Sequence, residues 1–287
     1  MEPDRPVLRP ERLRKAHLAD PADVSHTMSR YAAPDDLADL LQWYWVPVWS
    51  VPPGRRSEQR VLQYPCALIV VTEAYARFYG VVTGLSSTEL EGDGWAVGSL
   101  LQPAAGWLVA GRPMSELTDA HVELEELLGA RGAALAAAVR STMGGRGADG
   151  WSDPEVQVRA TDPVSAFLRE HLPVDDEGRL VNELVALVES DERLVRVAQL
   201  AEAAACSERS LQRLLRRRLG LTPKWLIQRR RLQDLSLRLR ERTAGETLAS
   251  LAADLGYADE AHLVRDFRTV TGWTPAQFGE RFGGTAG

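Results

Sequence analysis

Ser210-Leu211-Gln212-Arg213-Leu214-Leu215, closed by Gly220-Leu221-Thr222-Pro223, returns as His262-Leu263-Val264-Arg265-Asp266-Phe267, closed by Gly272-Trp273-Thr274-Pro275, at a constant offset of 52 residues. Leu211/Leu263, Arg213/Arg265, Gly220/Gly272 and Pro223/Pro275 are the matched positions. Upstream of each copy lies an Ala/Leu-rich segment, Val197-Ala198-Gln199-Leu200-Ala201 and Ala249-Ser250-Leu251-Ala252, displaced by 51. A repeat that keeps two helices and varies by one residue in the turn between them predicts a duplicated helix-turn-helix.

Periodicity supports the helices. On a 3.6-residue wheel Leu211, Leu214, Leu215 and Leu219 fall together, and Arg209, Gln212, Arg213 and Arg216 fall opposite. In the second copy Leu263, Phe267 and Val270 form the packing stripe, leaving Ala261, His262, Arg265, Arg268 and Thr269 outward. Ser207 and Asp259 suit the N-cap positions, where a side-chain oxygen accepts from orphan backbone N–H groups. Each Gly suits a left-handed C-terminal cap, and each Thr-Pro the N-cap and first residue of a following helix.

Taken in order, residues 190–284 resemble the AraC-type DNA-binding domain: helix-turn-helix, connecting helix, second helix-turn-helix, closing Gly-x-Thr-Pro-x-x-Phe. Leu251-Ala252-Ala253-Asp254-Leu255-Gly256-Tyr257 with His262-Leu263-x-Arg265-x-Phe267 is similar to that family's second-motif signature. The resemblance implies that the residues after each turn enter successive major-groove segments: Arg209, Gln212 and Arg213, then Ala261, His262 and Arg265. Ser207, Arg216, Arg217, Lys224 and Arg268 complete the expected DNA-binding set. The partners implied are double-stranded DNA and, for an activator, RNA polymerase.

A connecting helix from about Pro223 to Arg240 would be roughly 27 Å long, and major-groove faces recur about every 34 Å on one side of B-DNA. Both motifs can then address one side of a duplex. Charge agrees: residues 190–283 hold 17 Lys/Arg against 12 Asp/Glu, a net +5, which leaves −11 on the rest of a chain whose net charge is −6. The runs Arg216-Arg217-Arg218 and Arg229-Arg230-Arg231 are expected to contact phosphates, positioning the protein without reading bases. The motifs are expected to contribute unequally, because the second begins Asp259-Glu260-Ala261 and places carboxylates near the DNA.

The 287 residues, 45% hydrophobic, are enough for two cored domains. A polar, proline-rich beginning and short apolar runs such as Cys66-Ala67-Leu68-Ile69-Val70-Val71 predict a cytoplasmic protein without a membrane span. Two cysteines, Cys66 and Cys206, indicate neither a disulfide framework nor a structural zinc site.

The fold class expected is multidomain α+β: a β-rich barrel- or sandwich-like N-terminal domain with appended helices, then an all-α double helix-turn-helix domain. The expected boundaries are a mostly flexible tail at 1–30, a sensor or oligomerisation domain at 31–172, a linker with a helix at 173–189 and the DNA-binding domain at 190–284. Strands are predicted around Gln42–Val46, Val61–Tyr64, Ala67–Val71 and Arg77–Val82, with Asp93-Gly94 as a hairpin turn. Helical texture follows over Ser115–Leu128, Gly132–Val139 and Leu180–Val188, with Asp162-Pro163 opening another helix and Gly144–Gly150 a surface loop. Trp43-Tyr44-Trp45, Leu62-Gln63-Tyr64-Pro65, Phe78-Tyr79-Gly80 and Leu101-Gln102-Pro103-Ala104-Ala105 give this half an order similar to the N-terminal domain of a subset of actinobacterial-type AraC regulators. Such domains bind small effectors or mediate dimerisation, so a small-molecule effector and a homodimer are both implied.

Aromatic residues are dense between Trp43 and Trp107. Trp43, Trp45, Tyr64, Phe78 and Trp95 are candidates to line an effector pocket; the alternative is that they fill a β core. No catalytic signature, cofactor motif or metal-binding pattern is present, and His17, His26, His121 and His171 stand singly. Pro65-Cys66 has a superficial likeness to the methyl-acceptor site of DNA-repair regulators. Those sites carry His and Arg after the cysteine, whereas Ala67 and Leu68 follow here, so Cys66 reads as a buried strand residue. The reading reached is a sequence-specific DNA-binding regulator modulated by a small molecule or by self-association; the alternative is a largely nonspecific DNA-binding or protein-interaction factor.

Overall fold

Alternation governs the N-terminal part. Along β2 (Leu41–Val51), Tyr44 and Val46 are buried in the core on one face, while Trp43, Trp45, Pro47 and Trp49 lie on the other. In the computed structural model, which describes residues 18, 23–62, 64–145, 150–241 and 246–283, β2 belongs to a six-stranded antiparallel sheet. The other strands are β1 (His26–Ala32), β4 (Leu68–Thr72), β5 (Ala76–Tyr79), β7 (Gly92–Leu101) and β8 (His121–Glu123), in the order β1-β2-β7-β4-β5-β8. β3 (Ser57–Leu62) and β6 (Leu85–Leu90) form a separate antiparallel ribbon. The domain is β-rich with helices appended, as expected, but its sheet is open, ending at β1 and β8 rather than closing.

α3 (Ala130–Gly144) and α4 (Pro154–Arg169) cover one sheet face. Leu135, Val139, Val164 and Phe167 pack there against Tyr31, Tyr44, Ile69, Phe78 and Trp95. Two tyrosine hydroxyls buried in this layer are paired: Tyr31 donates to Gln157 Oε1 at 2.6 Å, and Tyr44 shares a 2.7 Å bond with Ser165 Oγ.

Several boundaries move. β1 reaches back to His26, into the stretch expected as tail; of the earlier residues only Leu18 and 23–25 are described. α4 starts at Asp153-Pro154, where Asp153 Oδ1 accepts from Glu155 N at 2.9 Å. Pro163 therefore lies inside the helix rather than opening it, and burial of Ala160, Val164 and Leu168 on the sheet outweighs the lost backbone donor. The turn assigned to Asp93-Gly94 is at Gly92 (φ +57), a corner between ribbon and sheet, and Asp93 and Gly94 belong to β7. The Ser115–Leu128 stretch holds a 3-10 turn, β8 and a short helix α2 (Leu124–Leu128), because Val122 pairs with Phe78 at the sheet edge. α1 (Ala105–Ala110) precedes them. Residues 146–149 of the expected glycine-rich loop lie outside the described residues.

The C-terminal part is helical throughout: α5 (Asp176–Ser190), α6 (Val197–Ala203), α7 (Glu208–Leu219), α8 (Pro223–Arg240), α9 (Leu248–Asp254), α10 (Glu260–Thr271) and α11 (Pro275–Phe282). Two cores are strung along α8. Leu226 and Ile227 join Val181, Leu184, Leu200, Leu211 and Leu215; Leu232, Leu235 and Leu239 join Leu251, Leu263, Phe267 and Phe278. The helix expected as linker, α5, thus lends its apolar face to the first core.

Candidate nucleic-acid interface and adjoining cavity

The repeat folds as its capping residues dictate. Ser207 Oγ accepts from Ser210 N at 3.2 Å, and Asp259 Oδ1 from His262 N at 2.7 Å. Gly220 (φ +79) and Gly272 (φ +81) end α7 and α10 in the left-handed region. Thr222 and Thr274 cap α8 and α11 ahead of Pro223 and Pro275.

Outward faces carry the cations. Arg209, Gln212, Arg213 and Arg216 on α7, Lys224 at the start of α8, and Ala261, Arg265 and Arg268 on α10 are exposed. The six of these that are charged make no ion pair with a described residue. His262 is half-buried, its ring edge-on to Tyr257 at 5.4 Å and its Nε2 3.5 Å from Asp266. Arg217 is exposed but bonded to Glu177 Oε2 at 2.5 Å.

Four arginines expected at phosphates are inside. Arg218 is 2% exposed; it lies 3.9 Å from the Trp107 ring centroid and pairs with Asp175 and Glu177. Both carboxyls are held below their ordinary range, Asp175 against an opposing burial effect and Glu177 first through its bond to Arg218. Arg229 meets Glu189 at 2.6 Å, Arg230 meets Asp234 at 3.3 Å, and Arg231 stacks 3.7 Å over Tyr257. Three consecutive positions cover most of a helix's circumference, and α8 is surrounded by both cores and the N-terminal part. None of the three is exposed.

Both recognition helices begin with an acid at the same place, since Glu208 matches Glu260 across the 52-residue offset and both are exposed. That carboxylate does not separate the motifs. The motifs differ at Ser207/Asp259, Arg209/Ala261, Gln212/Val264 and Ser210/His262, and His262 is held by Tyr257 and Asp266.

On the sheet face opposite α3 and α4 lies a cavity of about 220 Å³. Trp45 and Trp49 lie flat on β7, where a Cβ at Gly98 or Gly94 would stand 2.1 or 2.4 Å from their rings. Ala96 lines the floor between them, with Tyr64, Tyr75 and Tyr79 at the sides. Trp43, Trp45 and Tyr64, three of the pocket candidates, line it. Phe78 and Trp95 have the other parity and belong to the helix-covered core, so they are corrected to packing residues; their neighbours Tyr79 and Ala96 take their place. Arg30, opposite Trp45 on β1, also lines the cavity and was missed, although pairing β1 with β2 puts it on the indole face.

The ribbon closes the cavity and faces two ways. Gln59, Val61, Ser86 and Thr88 line the space, while Leu62 and Leu85 pack into the second helix-turn-helix core and Arg60 lies 4.9 Å from the Trp273 ring centroid. Tyr64 bridges likewise, edge-on to Trp43 at 5.5 Å and 5.2 Å from the Arg229 guanidinium. The first motif docks through Thr118 Oγ1, which donates to Gly220 O at 2.9 Å, and Trp225 Nε1, which donates to Thr83 O at 3.2 Å.

Cys66 is buried and burial pushes its thiol pKa up, against the thiolate that methyl transfer requires. His121 is on β8, not a helix, tilted against Tyr79 at 5.2 Å. Among the described residues no helix is long and apolar enough to cross a membrane.

Residues 200–281 match a family described as a helix-turn-helix domain, and residues 29–123 match one described as a domain of unknown function (DUF6597). An uncharacterized HTH-type transcriptional regulator of Haemophilus influenzae is 26% identical over 102 residues, 36% of this chain and 34% of that protein. The match thus spans about a third of the relative's length. Among solved structures, a probable AraC family transcriptional regulator from Rhodopseudomonas palustris is 22% identical, covering 37% of this chain and 99% of that one with TM-score 0.34. ToxT from Vibrio cholerae is 13% identical, covering 92% and 100% with TM-score 0.38; its unsaturated fatty acid-bound form is 15% identical, covering 92% and 98% with TM-score 0.37.

Proposed function

We propose that this chain, a DNA-binding helix-turn-helix regulator of the AraC type, reads a specific operator through two adjacent major-groove segments and is modulated by a small molecule held in its N-terminal cavity. The observation that carries the first part is the division of the arginines. Arg209, Arg213, Arg216, Arg265 and Arg268 are exposed without a described carboxylate, while Arg218, Arg229 and Arg230 of the same domain are buried and paired. Free guanidinium groups on paired helix faces suit guanine edges and phosphates. Gln212 suits adenine, and Ser207, Arg217 and Lys224 suit the backbone. The effector part rests on the ribbon, whose two faces touch the cavity and the second motif. A ligand shifts DNA affinity only by as much as it distinguishes the bound and free forms, and a shared wall supplies a place for that distinction.

Footprinting of the purified full-length protein, guided by genome-wide occupancy mapping, tests the reading. A discrete protected site with two contacted segments on one side of the duplex is expected. Uniform coating of DNA would overturn it.

A further inference from the structure

The cavity has a charge as well as a shape. Arg30 lines it from β1, and among the described lining residues none is acidic. Arg30 is half-buried and no ion pair joins it to a described residue, whereas the buried Arg218, Arg229 and Arg230 each meet a carboxylate. Burial pulls the Arg30 pKa down, the mark of a cation that has lost water without gaining an anion. Its neighbours do not supply one: Asp23 is engaged by Ser25, Ser57 and Gln59, and His26 faces Asp23 and Gln59. A desolvated guanidinium is stabilised by a hydrogen-bonded anion.

The floor sets the rest of the ligand. Gly94, Ala96 and Gly98 keep β7 low enough for two indoles to lie flat, and flat aromatic walls favour offset or edge contacts with another ring. The volume of about 220 Å³ exceeds the roughly 150 Å³ that holds benzene. We infer that the cavity takes a flat aromatic anion of about two fused rings, stacked between the indole-lined floor and the ribbon, with its carboxylate on Arg30. This inference rests on the effector reading above and adds the ligand's chemical class.

Titration calorimetry on the full-length protein with indole-3-acetate, indole-3-acetamide, tryptamine and hexanoate tests it. These probes separate charge from ring. The acetate is expected to bind about tenfold more tightly than the amide, the difference a charge-assisted pair supplies, and tryptamine and hexanoate more weakly than either. Arg30→Met should bring the acetate down to the amide's affinity while leaving amide binding within about twofold, which also reports an intact cavity; Arg30→Lys should restore part of the preference. Equal binding of acetate and amide, or a preference that survives Arg30→Met, overturns the anion assignment and leaves the effector reading standing. Hexanoate binding as tightly as the acetate overturns the aromatic assignment. No binding by any probe, with DNA affinity unchanged at millimolar concentrations of each, overturns the inference together with the effector reading.

Discussion

Gly220 and Gly272 hold the same place in the two repeats and nearly the same backbone angle, φ +79 and +81, yet only Gly220 is roofed over. A Cβ there would stand 2.4 Å from Thr118 Oγ1 and 2.7 Å from Met114 O, while at Gly272 nothing lies within 4 Å. Gly272→Ala should cost only left-handed strain, about 1–2 kcal/mol. Gly220→Ala should cost that plus about 1–3 kcal/mol of overlap. Denaturant unfolding of both variants measures the gap; equal losses would show that the N-terminal part does not press on the first motif.

Arg213 and Arg218 sit on the same helix, one exposed and one buried. Arg213→Ala should leave stability within about 0.5 kcal/mol and cost about 1–3 kcal/mol in discrimination between cognate and altered operator. Arg218→Ala removes the contact with Trp107 and the pairing with Asp175 and Glu177, and should lower unfolding free energy by about 2 kcal/mol. Melting curves and competition gel shifts on both variants check the assignment, and a stability loss in Arg213→Ala would count against it.

Glu177 holds Arg217 in the free protein, so on the proposed reading a phosphate would have to displace that carboxylate. Arg216→Ala should therefore reduce the slope of log K against log salt by about 0.9, and Arg217→Ala by less. Glu177→Gln frees Arg217 and should steepen the slope. Binding isotherms between 50 and 200 mM salt read this directly; a slope unchanged in Glu177→Gln means Arg217 does not reach DNA.

A DNA-binding fragment should begin ahead of Asp175. Its side chain caps α5 by accepting from Gly178 N at 2.9 Å, and it pairs with Arg218 together with Glu177. A fragment starting at 173 should fold and bind operator, whereas one starting at 180 loses the cap, about 1 kcal/mol, and both partners of Arg218. Circular dichroism melts would expose the difference, and equal melting temperatures would refute it. Acid should weaken the same pairing. Because both carboxyls titrate lower when folded, their contribution is present above the ordinary carboxylate range and fades as pH falls through the folded values.

The helix-turn-helix architecture was legible because its signals are local. Ser207, Gly220, Asp259 and Gly272 act on backbone groups within a few residues, so cap, turn and face could be read along the chain. Arg229-Arg230-Arg231 could not, since their burial is decided by what surrounds α8, and a charge run says nothing of that. Strand parity lay between these cases. Aromatic content alone points to Trp43, Trp45, Phe78 and Trp95 alike, whereas the period of two assigns the cavity face to Trp43, Trp45, Tyr79 and Ala96 and turns Phe78 and Trp95 to the other. Arg30 became visible only with the pairing of β1 on β2, a long-range fact.

α8 lends one half to each core, so it cannot bend between the two recognition helices without opening one of them. Misfit between protein and operator then falls on the duplex. Bending a site of about 20–30 base pairs by 40–90° costs on the order of 1–6 kcal/mol, and the cost varies with the stiffness of the steps deformed. On the proposed reading, base pairs lying between the two contacted segments would therefore tune affinity through their own mechanics.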